Sequence, residues 1–142
     1  MKSDARQLDR SDPHSEELEA EYYVLGGGDV GACVARQLYE SGQVVNLIDE
    51  SNDCPTTPGA QGDPTDLRTL RNAGIPKDST IVVATRSDKQ NLLIGQLVRA
   101  HFDVGRVVVL VNDRDRFEVF AAANHEPVCA TTALSDALVE SV

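Results

Sequence analysis

Strand-length apolar runs alternate with segments of helical periodicity from Tyr22 to the end of the sequence. The runs fall at 22–25, 44–48, 80–84, 106–111 and 127–130. Such runs, apolar at nearly every position, are typical of strands that are buried on both faces of a parallel sheet. The segments between them predict helices at about 30–40, 63–73, 87–101, 114–123 and 132–142. The alternation therefore predicts an α/β domain in which helices cover both faces of a parallel sheet.

The ends of several predicted helices carry recognisable start or stop residues. Gly42 and Asn124 follow the first and fourth helices, where a left-handed residue commonly ends a helix. The side chain of Asp63 would accept hydrogen bonds from first-turn amides. Pro64 suits the first helical position, and Asp66 complements the positive end of the helix. We therefore expect the second helix to begin at Asp63.

The segment 51–61 departs from this regular order. It contains two prolines and a glycine and shows no helical period. We therefore expect a Rossmann-like, doubly wound sheet of strand order 3-2-1-4-5-6, in which the third strand and the helix before it are shortened or missing. Residues 21–142 are expected to form this domain, whereas the polar residues 1–20 are expected to be a disordered acidic tail.

The charge composition narrows the class of partners. A formal net charge of -10 over 142 residues repels phosphate backbones and anionic membranes, so nucleic acid is not an expected partner. Aspartate outnumbers glutamate and arginine outnumbers lysine, which favours a protein adapted to a salt-rich cytoplasm. The odd number of cysteines without a C-x-x-C pair fits reduced, intracellular thiols. No apolar run approaches the ~20 residues of a membrane span, and the first residues do not resemble a signal peptide. We therefore expect a cytoplasmic protein without direct membrane insertion.

A glycine-rich segment, Gly26-Gly27-Gly28-Asp29-Val30-Gly31, directly follows the first strand and opens the first helix. It matches the pattern G-x-G-x-x-G. In that pattern Gly26 makes the turn, Gly28 lets a pyrophosphate approach the backbone, and Gly31 lets helix and strand pack closely. The free amides and the positive end of the helix would face an anion. In this context the segment predicts the phosphate-binding loop of a nucleotide site.

Acidic residues accompany this loop. Asp49 ends the second strand 18 residues after Gly31, close to the roughly 20-residue offset expected of a ribose-binding carboxylate. Neither Asp49 nor the adjacent Glu50 supplies the arginine that NADP usually requires, so NAD(H) is the expected dinucleotide. The alternative is that Asp49 caps a loop. A carboxylate at Asp29 would repel phosphates, so we expect Asp29 to turn away and cap the helix.

With these residues in view, the chain resembles the N-terminal domain of the TrkA family, known as the RCK or KTN domain, and its composition suggests a haloarchaeal member. The resemblance extends from about Tyr22 to Val139 and includes the glycine loop and Asp49. Its further motifs are Gly62-Asp63-Pro64-Thr65-Asp66, Leu70-x-x-Ala73-Gly74-Ile75, Ala84-Thr85-Arg86-Ser87-Asp88-x-x-Asn91 and Val111-Asn112-Asp113.

The resemblance implies a regulator of potassium transport. Such domains bind NAD(H), or ATP, ADP or AMP, pair as homodimers, and pass the nucleotide state to a membrane channel or transporter, to which they are peripheral. The further residues implied to line the nucleotide site are Gly62, Asp63 and Pro64 on the adenine side and Thr85 beside the phosphates or the second ribose. Asp88 and Asn91 match the family motif, but capping of the next helix explains both without a ligand.

Two departures from the family leave other functions open. The short segment 51–61 weakens the expected adenine pocket, which favours a structural domain without a nucleotide. The chain also stops where the family continues to a C-terminal domain, so the domain of a fused DHH-type phosphoesterase is an alternative. The cofactor domain of an NAD-dependent oxidoreductase would need a positioned acid or base. His125 is the nearest candidate, and we expect it at the surface, so no catalytic residue is predicted and an enzyme is not expected.

Overall fold

The computed structural model describes residues 21–51 and 57–142, so the predicted tail at 1–20 lies outside the described residues. The strands are β1 (Tyr22–Leu25), β2 (Val45–Asp49), β3 (Gly59–Gln61), β4 (Thr80–Val83), β5 (Arg106–Val111) and β6 (Glu126–Cys129). The helices are α1 (Gly28–Glu40), α2 (Leu67–Ala73), α3 (Asp88–His101), α4 (Phe117–Ala122) and α5 (Ala130–Ser141), and a 3₁₀ turn at Arg114–Arg116 precedes α4. Every predicted helix and strand is present, with bounds that differ by a few residues.

The six strands in the described ranges form one parallel sheet, in the order β3-β2-β1-β4-β5-β6. This is the order expected from the sequence, and it is confirmed. In the centre of the sheet, Leu25 of β1 is aligned with Ile48 of β2 and Val83 of β4. The carboxyl ends of these strands therefore meet at one edge, where parallel α/β sheets bind their ligands.

The third strand is present but short, as the prolines and the lack of period in this segment predict. β3 has only three residues, all exposed, and pairs with Leu47–Asp49 at the edge of the sheet. Backbone hydrogen bonds flank it: Leu47 donates to the Pro58 carbonyl at 3.0 Å, and Gly62 donates to the Asp49 carbonyl at 3.0 Å. The expected loss of the preceding helix falls mainly on residues 52–56, which lie outside the described residues.

The centre of the sheet is buried on both faces, as its largely apolar strands predict. Neighbouring residues of β1 point to opposite faces: Leu25 joins a large cluster with residues of α2, α3 and α4, and Val24 joins a smaller cluster beneath α1. Both side chains are fully buried. Burying one such side chain contributes about 1.5–3 kcal/mol, so the two clusters fix the position of the strand ends between the helices.

The start of α2 differs from the prediction. The helix is capped by Asp66, whose carboxylate accepts the Arg68 amide at 2.9 Å, and it begins at Leu67. Asp63 instead accepts the Thr65 amide at 2.9 Å and the Thr65 hydroxyl at 2.7 Å, which holds the turn before the helix. The prediction that α2 begins at Asp63 is therefore wrong. Asp63 and Asp66 are both competent caps, and the side-chain bonds of Asp63 are used within the turn.

His125 is buried, so its predicted surface position is wrong. Only 5% of the residue is exposed, and its ring packs against Phe120 and the backbone of Gly95 in α3. A Cβ atom at position 95 would lie 2.7 Å from Nε2, so the missing side chain of Gly95 provides the space. Arg99 donates from Nε to Nδ1 at 3.4 Å, whereas Nε2 has no hydrogen-bond partner. The contact pairs residues far apart in sequence, and no local pattern indicates it.

The last helix, α5, buries none of its residues. Residues 131–142 are all exposed, including the apolar side chains of Leu134, Leu138 and Val139. Within the described residues, no helix combines the length and the apolar character needed to cross a membrane.

Candidate functional site

A cavity of about 810 Å³ opens at the carboxyl edge of the sheet, between the glycine loop and α5. This volume lies within the roughly 300–1,000 Å³ range of small-molecule sites. The predicted site residues that line it are Gly26, Gly28, Asp29, Val30, Asp49, Glu50, Asp63, Pro64 and Thr85. The chain therefore brings most of the predicted residues together around one cavity.

The glycine loop connects β1 to α1 in a backbone conformation that favours glycine. Gly26, Gly27 and Gly28 have φ values of 74°, 105° and 51°. A Cβ atom at Gly28 would meet nothing within 4 Å, so at this position the backbone faces open space. At Gly31 a Cβ atom would overlap the Gly26 carbonyl oxygen. The loop therefore combines an open surface at Gly28 with close packing behind it, which is the form that a phosphate group requires.

Asp49 ties the end of β2 to this loop. Its Oδ2 accepts the Gly28 amide at 3.0 Å, and its Oδ1 accepts the Ser51 amide at 3.3 Å. These are the loop-capping contacts that the structural alternative predicted for Asp49. A carboxylate offers about four acceptor sites, so about two remain for hydroxyl groups such as those of a ribose.

Asp29 does not cap α1, so that expectation is wrong. Gly27 holds the N-cap position in a left-handed conformation, and no side chain makes a capping hydrogen bond to this helix. Asp29 lies within the first turn, exposed at the cavity wall. Capping requires the residue just before the helix, and Asp29 lies two residues too far along the chain to fill that position.

Asp88 and Asn91 do not cap α3 either, since Ser87 accepts the Gln90 amide at 3.2 Å in that role. The Asp88 carboxylate accepts the backbone amides of Asn112 and Asp113 at 2.8 and 2.9 Å. Burial raises the pKa of Asp88, but these hydrogen bonds and the charge of Arg116 outweigh it and lower the pKa below its ordinary value. Asp88 therefore holds the loop after β5 as a charged acceptor.

Asn91 makes the corresponding connection between β4 and β5. It is fully buried, and its Nδ2 donates to the carbonyls of Thr85 at 3.0 Å and Leu110 at 2.9 Å. Its Oδ1 accepts the amide and the hydroxyl of Thr85. Because Thr85, Leu110 and Asn112 line the cavity, Asp88 and Asn91 shape its floor from behind.

Four predicted site residues do not line the cavity: Gly31, Gly62, Asp88 and Asn91. Gly62 packs beneath α2, where a Cβ atom would lie 2.7 Å from the Thr69 methyl group. These residues support the site without facing it.

Other lining residues were not assigned to the site from the sequence. They include Arg86, Gln90, Leu110, Asn112, Ala130, Ala133 and Leu134. Arg86 and Asn112 lie inside the motifs that follow β4 and β5, so both residues could have been predicted from those motifs. Ala130, Ala133 and Leu134 belong to α5, where small apolar residues at helical spacing indicate only an ordinary helix face.

Carboxylates dominate the charged groups around the cavity. Asp29, Asp49, Glu50 and Asp63 face a single basic residue of the lining, Arg86. In the part of the chain that the structure describes, no three or more His, Cys, Asp or Glu residues are arranged to hold a metal ion.

A parallel sheet of this order, with a glycine loop after β1 and an acidic residue at the end of β2, defines a Rossmann-type domain. The chain belongs to the TrkA-N domain family, whose model matches residues 22–130. The resemblance to the N-terminal domain of the TrkA family is thereby confirmed.

Curated relatives share this part of the sequence. The chain is 34% identical over 96 residues to a Trk system potassium uptake protein TrkA of Mycobacterium tuberculosis, covering 63% of this chain and 44% of the relative. It is 31% identical over 104 residues to a TrkA homologue of Methanothermobacter thermautotrophicus, covering 68% and 48%. The chain thus spans about half the length of these relatives.

Solved structures share the fold. The NAD(P)-binding domain of an exopolyphosphatase-related protein from Archaeoglobus fulgidus superimposes with a TM-score of 0.74 at 25% identity, covering 86% of this chain and 96% of that one. GsuK bound to ADP superimposes with a TM-score of 0.74 at 27% identity, covering 85% and 33%. The RCK domain of GsuK gives a TM-score of 0.72 at 29% identity, covering 83% and 27%.

Proposed function

We propose that this chain is a regulatory nucleotide-binding domain that controls potassium transport through a membrane channel or transporter. The observation that carries the proposal is the cavity at the strand ends, where the open backbone of Gly28 lies beside the carboxylate of Asp49. The TrkA-N family and the TrkA relatives support the link to potassium uptake. The nucleotide is NAD(H) in the first place, and ADP, ATP or AMP are the alternatives.

Different residues of the cavity bind different parts of the nucleotide. The open backbone at Gly28 receives the phosphates, since a Cβ atom there would meet nothing within 4 Å. Gly26 makes the tight turn before it, where a Cβ atom would lie 2.8 Å from the Thr85 methyl group. Asp49 accepts ribose hydroxyls. Asp63 and Pro64 form the wall beside β2 and β3 for the adenine, and Thr85 contacts the phosphates or the second ribose. A bound nucleotide of this kind supplies no chemistry here beyond its affinity for one conformation over another.

We propose a binding module rather than an oxidoreductase. His125 precedes β6 and is buried at the amino end of the strand, opposite the edge that carries the cavity. It cannot act as an acid or base on a ligand held at the carboxyl edge. The proposed partners are a second copy of the chain and a subunit of a membrane potassium transporter. The domain would bind that subunit on the cytoplasmic side, as a peripheral component.

Calorimetric titration of the chain with NAD, NADH, ADP, ATP and AMP tests nucleotide binding. We expect at least one of them to bind below millimolar concentration. Asp49→Ala should weaken the complex with NAD(H) by about 1–3 kcal/mol, because the ribose hydroxyls lose hydrogen bonds to a charged acceptor. Glu118→Ala, which removes an exposed carboxylate of α4 away from the cavity, is the control. Binding that is absent for all five nucleotides would refute the proposal.

The link to potassium transport needs a cellular measurement. In the organism that carries the gene, Asp49→Ala should change the rate of rubidium uptake, since rubidium replaces potassium in transport assays. The Glu118→Ala control should leave that rate unchanged. If the rubidium uptake rate is the same in both variants, the nucleotide site does not control potassium transport, and this part of the proposal is refuted.

A second function is favoured by the likeness to the Archaeoglobus domain, which the chain covers almost completely. In that case the nucleotide site regulates a phosphoesterase instead of a transporter. The full-length gene product, assayed with a chromogenic phosphodiester, distinguishes the two. Hydrolysis that responds to the nucleotide supports the phosphoesterase, and rubidium uptake that responds to it supports the transporter.

A further inference from the structure

We propose that Asp29 is a specificity-determining residue, which makes the site select nucleotides without a terminal phosphate monoester. The inference rests on the proposed function and deepens it by naming the phosphate chemistry that the site accepts. The preferred ligand class is a pyrophosphate diester, such as that of ADP-ribose or a dinucleotide, over a nucleoside diphosphate or triphosphate.

Two carboxylates lie beside the amides of the phosphate-binding loop. Asp29 is exposed in the first turn of α1 and lines the cavity. Asp49 accepts the amide of Gly28, the first residue of the same helix, at 3.0 Å. Negative side chains at this position offset the partial positive charge of the helix end. The loop therefore keeps the shape of a phosphate site but has a weakened attraction for anions.

Within the described residues, neither Asp29 nor Asp49 forms an ion pair. The ion pairs there join Arg68 to Asp66, Arg106 to Glu126 and Arg116 to Asp113. None of these pairs includes a carboxylate of the cavity wall. Arg86, the single basic residue of the lining, follows β4, whereas Asp49 and Glu50 lie at the end of β2.

The site can distinguish phosphate diesters from terminal monoesters by their charge. Each phosphate of a pyrophosphate diester carries one negative charge. A terminal monoester gains a second charge above a pKa of about 6. Placed on the glycine loop, that extra charge would face the carboxylates of Asp29 and Asp49 in a partly enclosed site, where screening is weaker than in bulk water. Like charges brought together in this way are a common means of rejecting a ligand.

ADP-ribose and ADP form a matched pair of probes, since they differ in whether the terminal phosphate is esterified. In calorimetric titrations at about pH 7.5 without divalent cations, we expect ADP-ribose to bind at least about tenfold more tightly than ADP. Asp29→Asn should reduce that ratio by about threefold or more, chiefly by tightening ADP. Raising the KCl concentration should also reduce the ratio in the wild-type chain, because salt screens the repulsion.

Two control variants isolate the carboxylate at position 29. Asp29→Glu keeps the charge and should retain the wild-type ratio. Glu118→Gln removes an equal charge on α4, outside the cavity, and should also leave it unchanged. A ratio that is equal in Asp29→Asn and wild type, or wild-type binding of ADP as tight as that of ADP-ribose, would overturn the inference while the proposed function stands. Binding of neither probe, nor of any of the five nucleotides named above, would instead refute the proposed function.

Discussion

Asn91 and His125 are both buried polar side chains, but their hydrogen-bonding capacity is met very differently. Asn91 donates to two backbone carbonyls and accepts twice from Thr85. His125 has one long hydrogen bond at Nδ1 and an unpartnered Nε2. A buried amide whose hydrogen bonds are all made stabilises the residues that it connects. A buried imidazole with few hydrogen bonds disfavours its own protonated form, so the stability of the fold depends on pH. Each side chain therefore leads to a different prediction.

Replacing Asn91 by leucine should lower the free energy of unfolding by about 3 kcal/mol, because the carbonyls of Thr85 and Leu110 lose their side-chain donor inside the domain. Urea denaturation measures the change. Asn72→Leu alters an exposed residue of α2 and should change the stability by less than about 0.5 kcal/mol. Equal effects of the two substitutions would show that the Asn91 connection contributes little.

Stability should fall as the pH drops below about 6.5, and His125 should cause part of that fall. Burial, and secondly the charge of Arg99, lower the pKa of His125 in the folded chain. The unfolded chain then binds a proton that the folded chain does not, so stability is lost as the pH falls from the unfolded pKa towards the folded one.

The measurement compares urea unfolding of wild type and His125→Gln between about pH 7.5 and about pH 5. Glutamine does not titrate in this range, so its curve should be flatter than that of the wild type. His101→Gln, at an exposed position of α3, should follow the wild-type curve. Parallel curves for wild type and His125→Gln would contradict the prediction.

Most helices and strands were predictable because each carries its own pattern. β5 is apolar throughout after Arg106, α3 has an apolar stripe, and Asn124 adopts the left-handed conformation expected after α4, with φ of 68°. The sequence does not indicate which of several suitable polar residues caps a helix, or which backbone groups a buried polar side chain binds. Asp63 and Asp66 compete for one helix start, and the partners of Asp88 lie more than twenty residues away. Such choices depend on the assembled sheet rather than on local spacing.

Helix α1 depends on the absence of a side chain at Gly31. Gly31→Ala should lower the free energy of unfolding by about 3 kcal/mol, because the new methyl group would overlap the Gly26 carbonyl and push α1 away from β1. Gly42→Ala is the matched control, since it has φ of 90° but nothing within 4 Å, and should cost only about 1–2 kcal/mol. A smaller effect at Gly31 than at Gly42 in urea denaturation would show that α1 does not pack this closely.

For the whole molecule, the net charge of -10 predicts self-repulsion that salt relieves. Between about 0.05 and about 0.5 M KCl, the melting temperature should rise by several degrees and then level off as the Debye length shortens. A flat response in this range would contradict the prediction. A rise that continues linearly to molar salt would indicate exclusion of salt from the protein surface instead.

The cavity as a whole was only partly predictable. Its glycine loop and Asp49 are adjacent to strand ends that the apolar pattern identifies, so their meeting follows from a parallel sheet. The wall formed by Ala130, Ala133 and Leu134 depends on where α5 leaves the sheet after β6. That direction is a property of the complete fold, and no residue of α5 indicates it alone.

The geometry of α5 has a mechanical consequence. Its twelve residues, Ala130–Ser141, make a rod about 18 Å long at 1.5 Å per residue. The rod starts at the cavity, and its remaining length lies at the surface. Like a lever pivoted near Ala133, it would turn a tilt of about 10° at the cavity into a displacement of about 2–3 Å at its far end. A small movement at the cavity would thus become a larger movement at the exposed end of α5.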